Sequence, residues 1–372
     1  MKNRQSGVTL LELLIVMGIF MIVIAAASQM FVSLLSDYKQ QSKITVTNIE
    51  GILGLEMMRR DVENAGYGLP WDGLTNYQEL TNPMGELYNP AQFNDAPTGP
   101  PRAIISGNGT GWHGTDRLVV KAINVAMNST SEHWNFLYTT PAVATNVWTP
   151  AADNLLATDH VIVISQDANN RRLLPYAGMG GGFSSTFSNV ASFSATRSDP
   201  SIVYGVDPNT PLKMPFNRAD FYVQPPAVLS DLPRYCAAGT GVLYKAVIAH
   251  NNTGFLTAQP LLECVADMQV AFIYDVNGTG TLMQYFQDIS NSALYSASQI
   301  RNQVKEVRVY ILAQEGQRDR NYTYPNQVVR VGEIGGFTGD LGRDFDLNAN
   351  ITDWSHYRWK LYTLVVKPSN LQ

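Results

Sequence analysis

Glu12 is the residue near the N-terminus whose type and position could carry chemistry. It lies in the stretch SGVTLLELLIV at residues 6–16, and it is the only charged side chain from Val8 to Leu35. A lone carboxylate inside a membrane span is costly unless a partner neutralises it. No histidine, cysteine or second acid lies within two helical turns of Glu12. A catalytic role therefore has no support, and the sequence predicts that this carboxylate needs a charged partner.

The other motifs that could serve an enzyme are isolated. The stretch GTGWHG at 109–114 fits G-x-G-x-x-G, but it precedes a strand-like run and opens no helix, which argues against dinucleotide binding. The chain has no G-x-S-x-G motif and no H-x-H or H-E-x-x-H pair. The five histidines are dispersed as His113, His133, His160, His250 and His356. The sequence therefore predicts a protein that is not an enzyme and has no zinc site or organic cofactor.

One stretch offers oxygen ligands at the spacing of a calcium loop. In DVNGTG at 275–280, Asp275, Asn277 and Thr279 alternate and Gly280 stands at the sixth position. The twelfth position is Phe286, however, where a calcium loop has Glu. A hairpin turn between two strands explains the same residues. Calcium is thus the one candidate metal, and DFDLNAN at 344–350 is a second, weaker candidate loop.

Composition indicates a folded, loop-rich protein dominated by β-structure. The 372 residues include 29 Gly and 19 Pro, 45% are hydrophobic, and only 15% are charged. The net charge is −5, and there is no concentrated basic face in the sequence. Because phosphate binding needs such a face, the composition argues against nucleic acid as a partner.

The N-terminal segment is long and apolar enough to cross a membrane. MKNRQSG carries Lys2 and Arg4, and about 28 largely apolar residues follow, which as a helix would extend roughly 40 Å. A cleaved secretory signal usually has a shorter apolar run of about 7–15 residues. The positive-inside rule keeps Lys2 and Arg4 in the cytoplasm. The rest of the chain is therefore predicted to lie on the far side of the membrane.

The helix is predicted to continue beyond the membrane as an amphipathic segment. An apolar stripe at spacings of three and four is formed by Ile49, Ile52, Leu55, Met58, Val62 and Ala65. The stretch AGYGLP at 65–70 then stops the helix with two glycines and a proline. We expect this whole stripe to dock on the head.

The remainder is predicted to be an antiparallel β-sheet head with long loops. Strand-like runs lie at 116–123, 159–165, 242–249, 266–276, 304–314 and 357–367. Several of them alternate apolar and polar residues, as half-buried strands do. Residues 70–115 look irregular, and residues 168–235, rich in Gly, Ser, Asn and Pro, are predicted to be a long loop or insertion.

The two cysteines are predicted to form a disulfide. Cys236 and Cys264 lie in the exported portion, near the starts of neighbouring strand-like runs. An oxidising compartment favours their pairing.

The N-terminus resembles the class III signal of type IV prepilins. The matching features are a short basic leader that ends at Gly7, the uncharged run VTLLELLIV, and a glutamate five positions after the glycine. The resemblance implies that a membrane peptidase cuts between Gly7 and Val8 and methylates the new amine. Val8 stands where the family most often has Phe. Glu12 would then be an assembly residue whose carboxylate meets the terminal amine of a neighbouring subunit, so that neither charge is buried alone.

The C-terminal part resembles the PilW-type minor pilins. The resemblance rests on MMRRDVENAGYG at the end of the helix and on LLECVADMQVAFIYDVNGTG, VKEVRVYILAQ and YRWKLYTLVVKPSNL further on. It implies an α+β pilin-like fold, with a long helix packed on the β-sheet head. The implied segments are a leader at 1–7, a transmembrane helix at 8–35, an amphipathic half at 36–66 and a head at 67–372.

The resemblance also implies a function and partners. Such a protein primes pilus assembly and sits at or near the pilus tip. Its partners are other minor pilins and the major pilin, through the N-terminal helix, with the prepilin peptidase and the inner-membrane assembly platform. It is held in the bacterial inner membrane with its head in the periplasm, and it then moves to the pilus. The alternatives are a minor pseudopilin of a type II secretion system and a tip adhesin or binding subunit.

Overall fold

A single long helix leads into a head made of three antiparallel sheets. The computed structural model describes residues 9–80, 90–138, 144–167, 170–178, 182–193, 200–226, 228, 231–251, 255–336 and 339–371. Helix α1 spans Leu10–Glu63 and has 54 residues, which corresponds to about 80 Å. It ends at the C-cap Asn64, and Gly66 follows with a φ of +87° that favours glycine.

The head contains sixteen strands and two short helices in the described residues. The helices are α2 (Ala297–Gln303) and α3 (Leu347–Asn350). The strands are β1 (Ile104–Gly107), β2 (Arg117–Ala122), β3 (Trp134–Tyr138), β4 (Ala144–Thr145), β5 (His160–Asp167), β6 (Asn170–Leu173), β7 (Ser185–Thr186), β8 (Ser201–Asp207), β9 (Asn217–Gln224), β10 (Gly241–Ile248), β11 (Phe255–Asp275), β12 (Met283–Phe286), β13 (Val304–Glu315), β14 (Val328–Gly336), β15 (Gly339–Asp346) and β16 (Arg358–Val366).

The largest sheet has eight strands in the order β1-β2-β9-β10-β11-β13-β16, with β12 paired to β11. Its organising strand is β11, which is 21 residues long. The first half of β11 pairs with β10 and the second half pairs with β13, both antiparallel. A single long strand therefore joins the two halves of the sheet, and α1 packs across it as well as on β13 and β16.

Two smaller sheets complete the layers. The six-stranded sheet has the order β4-β3-β8-β5-β6, with β7 paired to β5, and β14 pairs with β15 in a sheet of two. The apolar run of β5 is buried on both faces, because Ile162 and Ile164 join the core shared with α1 while Val161 and Val163 face a second cluster. The β14–β15 hairpin contributes Val331, Leu341 and Phe345 to a third cluster, which also includes Tyr310 of β13.

The predicted fold class is confirmed, since a long helix packs on an antiparallel β-sheet head. All six strand-like runs found in the sequence coincide with strands, namely β2, β5, β10, β11, β13 and β16. The run at 266–276 is only the second half of the much longer β11.

The prediction of a long loop at 168–235 is wrong, and the alternative, an insertion, stays a prediction. This segment contains β6, β7, β8 and β9, and β9 lies in the main sheet between β2 and β10. The sequence NRAD at the start of β9 looks like a loop because it carries two charges. Both charges, on Arg218 and Asp220, are buried in the structure and pair with each other at 2.7 Å.

Candidate functional site: the N-terminal helix and its contacts with the head

The carboxylate of Glu12 caps the start of α1. Its Oε2 accepts hydrogen bonds from the backbone N–H and from the hydroxyl of Thr9, each at 3.1 Å, and the Glu12 N–H donates to Thr9 Oγ1 at 3.3 Å. This reciprocal arrangement is a capping box, and a negative charge at a helix N-terminus is also favoured by the helix dipole. Thr9 is thus a local partner of Glu12 within its own chain. Gly7 and Val8 lie outside the described residues.

The first half of α1 has no contact with the head. The segment Leu10–Thr45 is long and apolar enough to cross a membrane, and it is the one such helix in the described part of the chain. Its large apolar side chains from Leu10 to Leu35 are exposed on all sides. An exposed apolar surface of this size requires a membrane or other apolar helices around it.

The head contacts α1 from Gln40 onwards. Gln40 Nε2 donates to the Gln317 carbonyl at 3.1 Å, and the Gly316 N–H donates to Thr47 Oγ1 at 3.3 Å. The ammonium of Lys43 lies 3.8 Å from the ring centroid of Tyr235. The exposed half of the helix therefore passes into its docked half within about two turns.

Part of the predicted docking stripe is correct and part is wrong. Leu55, Met58, Val62 and Ala65 are buried against the head as expected. Ile49 and Ile52, by contrast, are 62% and 63% exposed, and the neighbouring Leu53 is 69% exposed. These three residues are not part of the docked face, because β11 contacts the helix on a different face, which carries two glycines.

Gly51 and Gly54 allow the helix backbone to lie directly on β11. A Cβ at Gly54 would overlap the carbonyl oxygen of Leu261, and one at Gly51 would come within 2.9 Å of Leu262 Cδ1. Sequence reasoning missed both residues. The available signal was the presence of two glycines, three positions apart, inside an amphipathic helix, where each costs about 1 kcal/mol relative to alanine.

An ion pair between helix and sheet lies beside this contact. Lys245 Nζ of β10 is 2.5 Å from Asp61 Oδ2 of α1, and both side chains are buried. Burial raises the pKa of the Asp61 carboxyl, and the neighbouring Lys245 opposes that rise. Because one partner lies on α1 and the other on β10, the ion pair fixes the orientation of α1 about its axis relative to the sheet.

The predicted cysteine pair is bonded in the structure. Cys236 and Cys264 form a disulfide with their Cα atoms 5.0 Å apart, which joins the segment before β10 to β11. Gln314 holds the same segment, since its Nε2 donates to the Tyr235 carbonyl and its Oε1 accepts from the Ala237 N–H, both at 2.7 Å. The disulfide thus fixes the segment that carries Tyr235, and the Tyr235 ring contacts Lys43 of α1.

The candidate calcium residues form the hairpin between β11 and β12. Asp275 Oδ2 accepts the Gly280 N–H at 2.8 Å, and Asn277 Oδ1 accepts the Thr279 N–H at 3.3 Å. The Thr279 hydroxyl pairs with that of Thr281 at 2.7 Å. Asp275 is the only acidic residue of the DVNGTG stretch, and no group of three His, Cys, Asp or Glu side chains in the described residues could hold a metal. The geometry favours a turn.

Comparisons with known proteins bear on both ends of the chain. Residues 2–28 match the prokaryotic N-terminal methylation motif, which includes Gly7, Val8 and Glu12. Residues 234–370 match the family described as type IV pilus-assembly protein W, and this region contains the disulfide and the strands from β10 to β16.

A type IV-like pilin from Thermus thermophilus aligns with 58% of this chain and 87% of its own, at 13% identity and a TM-score of 0.21. No curated protein matches the chain.

Proposed function

We propose that this chain, a type IV minor pilin of the PilW kind by its prepilin-type N-terminus and its C-terminal head region, primes pilus assembly at or near the pilus tip. The observation that carries the proposal is Glu12, placed inside a methylation motif at the start of an exposed apolar helix. The family matches point to a structural protein, and the role proposed here needs no catalysis and no cofactor.

Processing would create the partner that Glu12 needs. Cleavage between Gly7 and Val8 by a prepilin peptidase leaves a positive amine at Val8, one residue before the helix N-cap Thr9. In an assembly, the amine of one subunit would meet the Glu12 carboxylate of its neighbour. Two opposite charges attract strongly where water is excluded, and each would otherwise remain uncompensated.

Hydrogen bonds from Thr9 fit this scheme. They orient the Glu12 carboxylate. Both hydrogen bonds go to Oε2, and neither goes to Oε1. A carboxylate has room for several hydrogen bonds, so a neighbour's amine can be added without breaking the capping box. The cap therefore holds Glu12 ready for docking and does not compete with it.

The outward face of α1 provides a surface for neighbouring helices. Ile49, Ile52 and Leu53 are exposed on the side that the head leaves open, beyond the membrane-spanning run. These apolar side chains lie beyond the segment that would cross the membrane, so lipid would not bury them. Burial against another helix would stabilise them. Other minor pilins and the major pilin are the partners proposed for this surface.

Orientation and location follow from the same segment. Lys2 and Arg4 would stay in the cytoplasm, the apolar half of α1 would cross the inner membrane, and the head would lie in the periplasm. The assembly platform would then move the protein into the pilus. A tip subunit is needed in few copies, so it should be sparse in purified filaments.

Two variants separate processing from assembly. Gly7→Glu should block cleavage and leave a slightly heavier membrane protein. Glu12→Val should be cleaved and remain stable in the membrane, because removing a carboxylate does not hinder insertion. Its incorporation should nevertheless fall about tenfold or more, because the neighbour's amine loses its counter-charge.

The measurement is immunodetection on sheared filaments, with filament number counted by electron microscopy. Glu56→Gln is the matched control, since Glu56 is an exposed carboxylate further along the same helix. Incorporation of Glu12→Val at the control level would refute the assembly contact. An abundance equal to that of the major subunit would refute the tip role.

A further inference from the structure

An aromatic cleft lies at the edge of the six-stranded sheet, far in sequence from the helix. Trp134 begins β3 and Trp148 follows β4, and their ring centroids are 5.1 Å apart with the planes tilted by 56°. Phe136 packs edge-on against Trp134 at 5.1 Å. The cleft has a volume of about 370 Å³ and is lined by Glu132, His133, Trp134, Trp148, Thr149 and Asp153. That volume is within the range of small-molecule sites.

The Trp148 side of the cleft is held by a set of hydrogen bonds. Its indole Nε1 donates to the Trp134 carbonyl at 3.0 Å. Asn154 brackets the Trp148 backbone, because its Oδ1 accepts from the Trp148 N–H at 2.7 Å and its Nδ2 donates to the Trp148 carbonyl at 2.8 Å. A cleft formed in advance loses little conformational freedom when a ligand enters.

A second asparagine fixes the loop that carries Trp148. Asn135 is buried in β3, and its amide exchanges two hydrogen bonds of 2.9 Å with the backbone of Asn146. Trp134 nevertheless stays 36% exposed. The rings are thus rigidly placed, and the chain itself does not cover them completely.

The carboxylate side chains of the cleft are negatively charged. Glu132 and Asp153 are exposed, and no cationic side chain in the described part of the chain pairs with either carboxylate. Trp71 shows the contrasting case. Its ring is covered by the guanidinium groups of Arg301 at 3.9 Å and Arg171 at 4.9 Å. Within the described ranges, no such cation lies over Trp134 or Trp148.

We propose that this cleft binds an organic ammonium group, of the kind carried by choline. The indole faces of Trp134 and Trp148 attract a cation through their quadrupoles, and Glu132 and Asp153 supply the counter-charge. The aromatic wall favours a weakly hydrated cation with methyl groups, since a strongly hydrated metal ion gains more from water and oxygen ligands than from ring faces. The ammonium group can come from a free metabolite or from a lipid headgroup.

The test uses the full chain in dodecyl maltoside, a detergent without an ammonium group. Choline is titrated and followed by saturation-transfer NMR of its methyl protons. We expect saturable binding with a dissociation constant of about 1 mM. The neutral isostere 3,3-dimethylbutanol should bind about tenfold more weakly, because it has the same shape without the charge. Competition by glycerophosphocholine, the soluble headgroup of phosphatidylcholine, then distinguishes a lipid source from a free one, since vesicles would bind α1 whatever the cleft does.

Three variants locate the binding. Glu132→Gln and Asp153→Asn remove one charge each at exposed positions and should each weaken choline binding about fivefold. Trp134→Leu should weaken it about tenfold, with the fold checked by circular dichroism. Asp231→Asn, at an exposed carboxylate outside the cleft, is the control and should leave binding unchanged. Equal binding of the neutral isostere, absence of saturable binding, or wild-type affinity in both carboxamide variants would overturn the proposal.

Discussion

Lys121 shows how single residues stabilise the inside of this head. Its ammonium on β2 lies 2.7 Å from Glu79 Oε2 and 2.6 Å from Asp95 Oδ2, and all three side chains are buried. Arg218 also contacts Glu79 at 3.2 Å, and Arg102 contacts Asp95 at 2.6 Å. Burial raises the pKa of the Asp95 carboxyl, but Lys121 and Arg102 outweigh that effect and the net pKa is lowered. The Asp95 carboxylate is therefore held ionised by its two partners.

Replacing Lys121 with Met should destabilise the head by about 3–5 kcal/mol. Methionine has a similar size but leaves two buried carboxylates short of positive charge. The measurement is urea unfolding of the full chain in detergent, followed by tryptophan fluorescence. Arg59→Gln is the control, because Arg59 pairs with Glu56 and Glu63 on the exposed surface, and its loss should lower the unfolding free energy far less than the loss of Lys121. Equal unfolding midpoints for the two variants would contradict the argument.

His250 is a second residue whose burial has a measurable consequence. Asn217 Nδ2 donates to the carbonyls of Ile123 and Val206 at 2.7 and 3.1 Å, so its Oδ1 faces His250 Nε2 at 3.0 Å and accepts a hydrogen bond from it. Burial lowers the pKa of His250 to about 4; Asp207 opposes this and His160 adds to it. The imidazole is therefore neutral in the folded protein at pH 5 to 7.

This lowered pKa predicts a loss of stability in mild acid. An unfolded histidine titrates near about 6.5, so between that pH and about 4 the unfolded state binds more protons than the folded state. The contribution of His250 is present above pH 6.5 and is lost as the pH falls, by roughly 3 kcal/mol at most. His250→Gln, which keeps an N–H donor, should flatten this part of the curve. Unfolding free energies measured from pH 4 to 7 would refute the argument if both proteins had the same slope.

At the scale of elements, helix α1 is held to the head by its glycine face. A Cβ at Gly54 would overlap the Leu261 carbonyl in β11, and backbone cannot move aside as a flexible side chain can. Gly54→Ala should therefore destabilise the docked helix by about 1–3 kcal/mol, although alanine favours a free helix by about 1 kcal/mol.

The same helix offers a matched control for this prediction. A Cβ added at Gly18 would meet nothing within 4 Å, so Gly18→Ala should leave stability unchanged or slightly higher. Hydrogen exchange of the backbone amides around residues 51–58, measured in detergent, would report local undocking. Equal protection in the two variants would show that the helix does not depend on the close approach to β11.

At the scale of the whole molecule, the disulfide connects the sheet to the segment that contacts α1. Cys236 and Cys264 are separated by 28 residues, so the bond restricts a sizeable loop of the unfolded chain. The double variant Cys236→Ser, Cys264→Ser should lose about 3 kcal/mol of unfolding free energy. Alkylation of native protein extracted from membranes without reductant, followed by mass measurement, should find no free thiol in the wild type. Two free thiols there would refute the prediction.

Features of this protein that have a local signal could be predicted from neighbouring residues. The apolar run, the position of Glu12 and the six strand-like runs depend on neighbouring residues and on periods of two or of three to four, and all six runs became strands. The start of the docked stripe and the role of β9 depended on residues far away in the chain. Ile49 and Ile52 follow the helical period, yet they are exposed, because β11 meets the glycine face instead.

The buried charges of β9 find their partners only in the folded chain. Arg218 pairs with Asp220 in its own strand and also reaches Glu79, which lies 139 positions away, and these buried partners make a charged stretch acceptable in the middle of a sheet. The aromatic cleft arose in the same way, since Trp134 and Trp148 meet through the pairing of β3 with β4 and through Asn135. The local spacing of apolar and polar residues predicts the secondary structure that a segment can form. Whether its polar groups can be buried depends on partners that only the folded chain brings together.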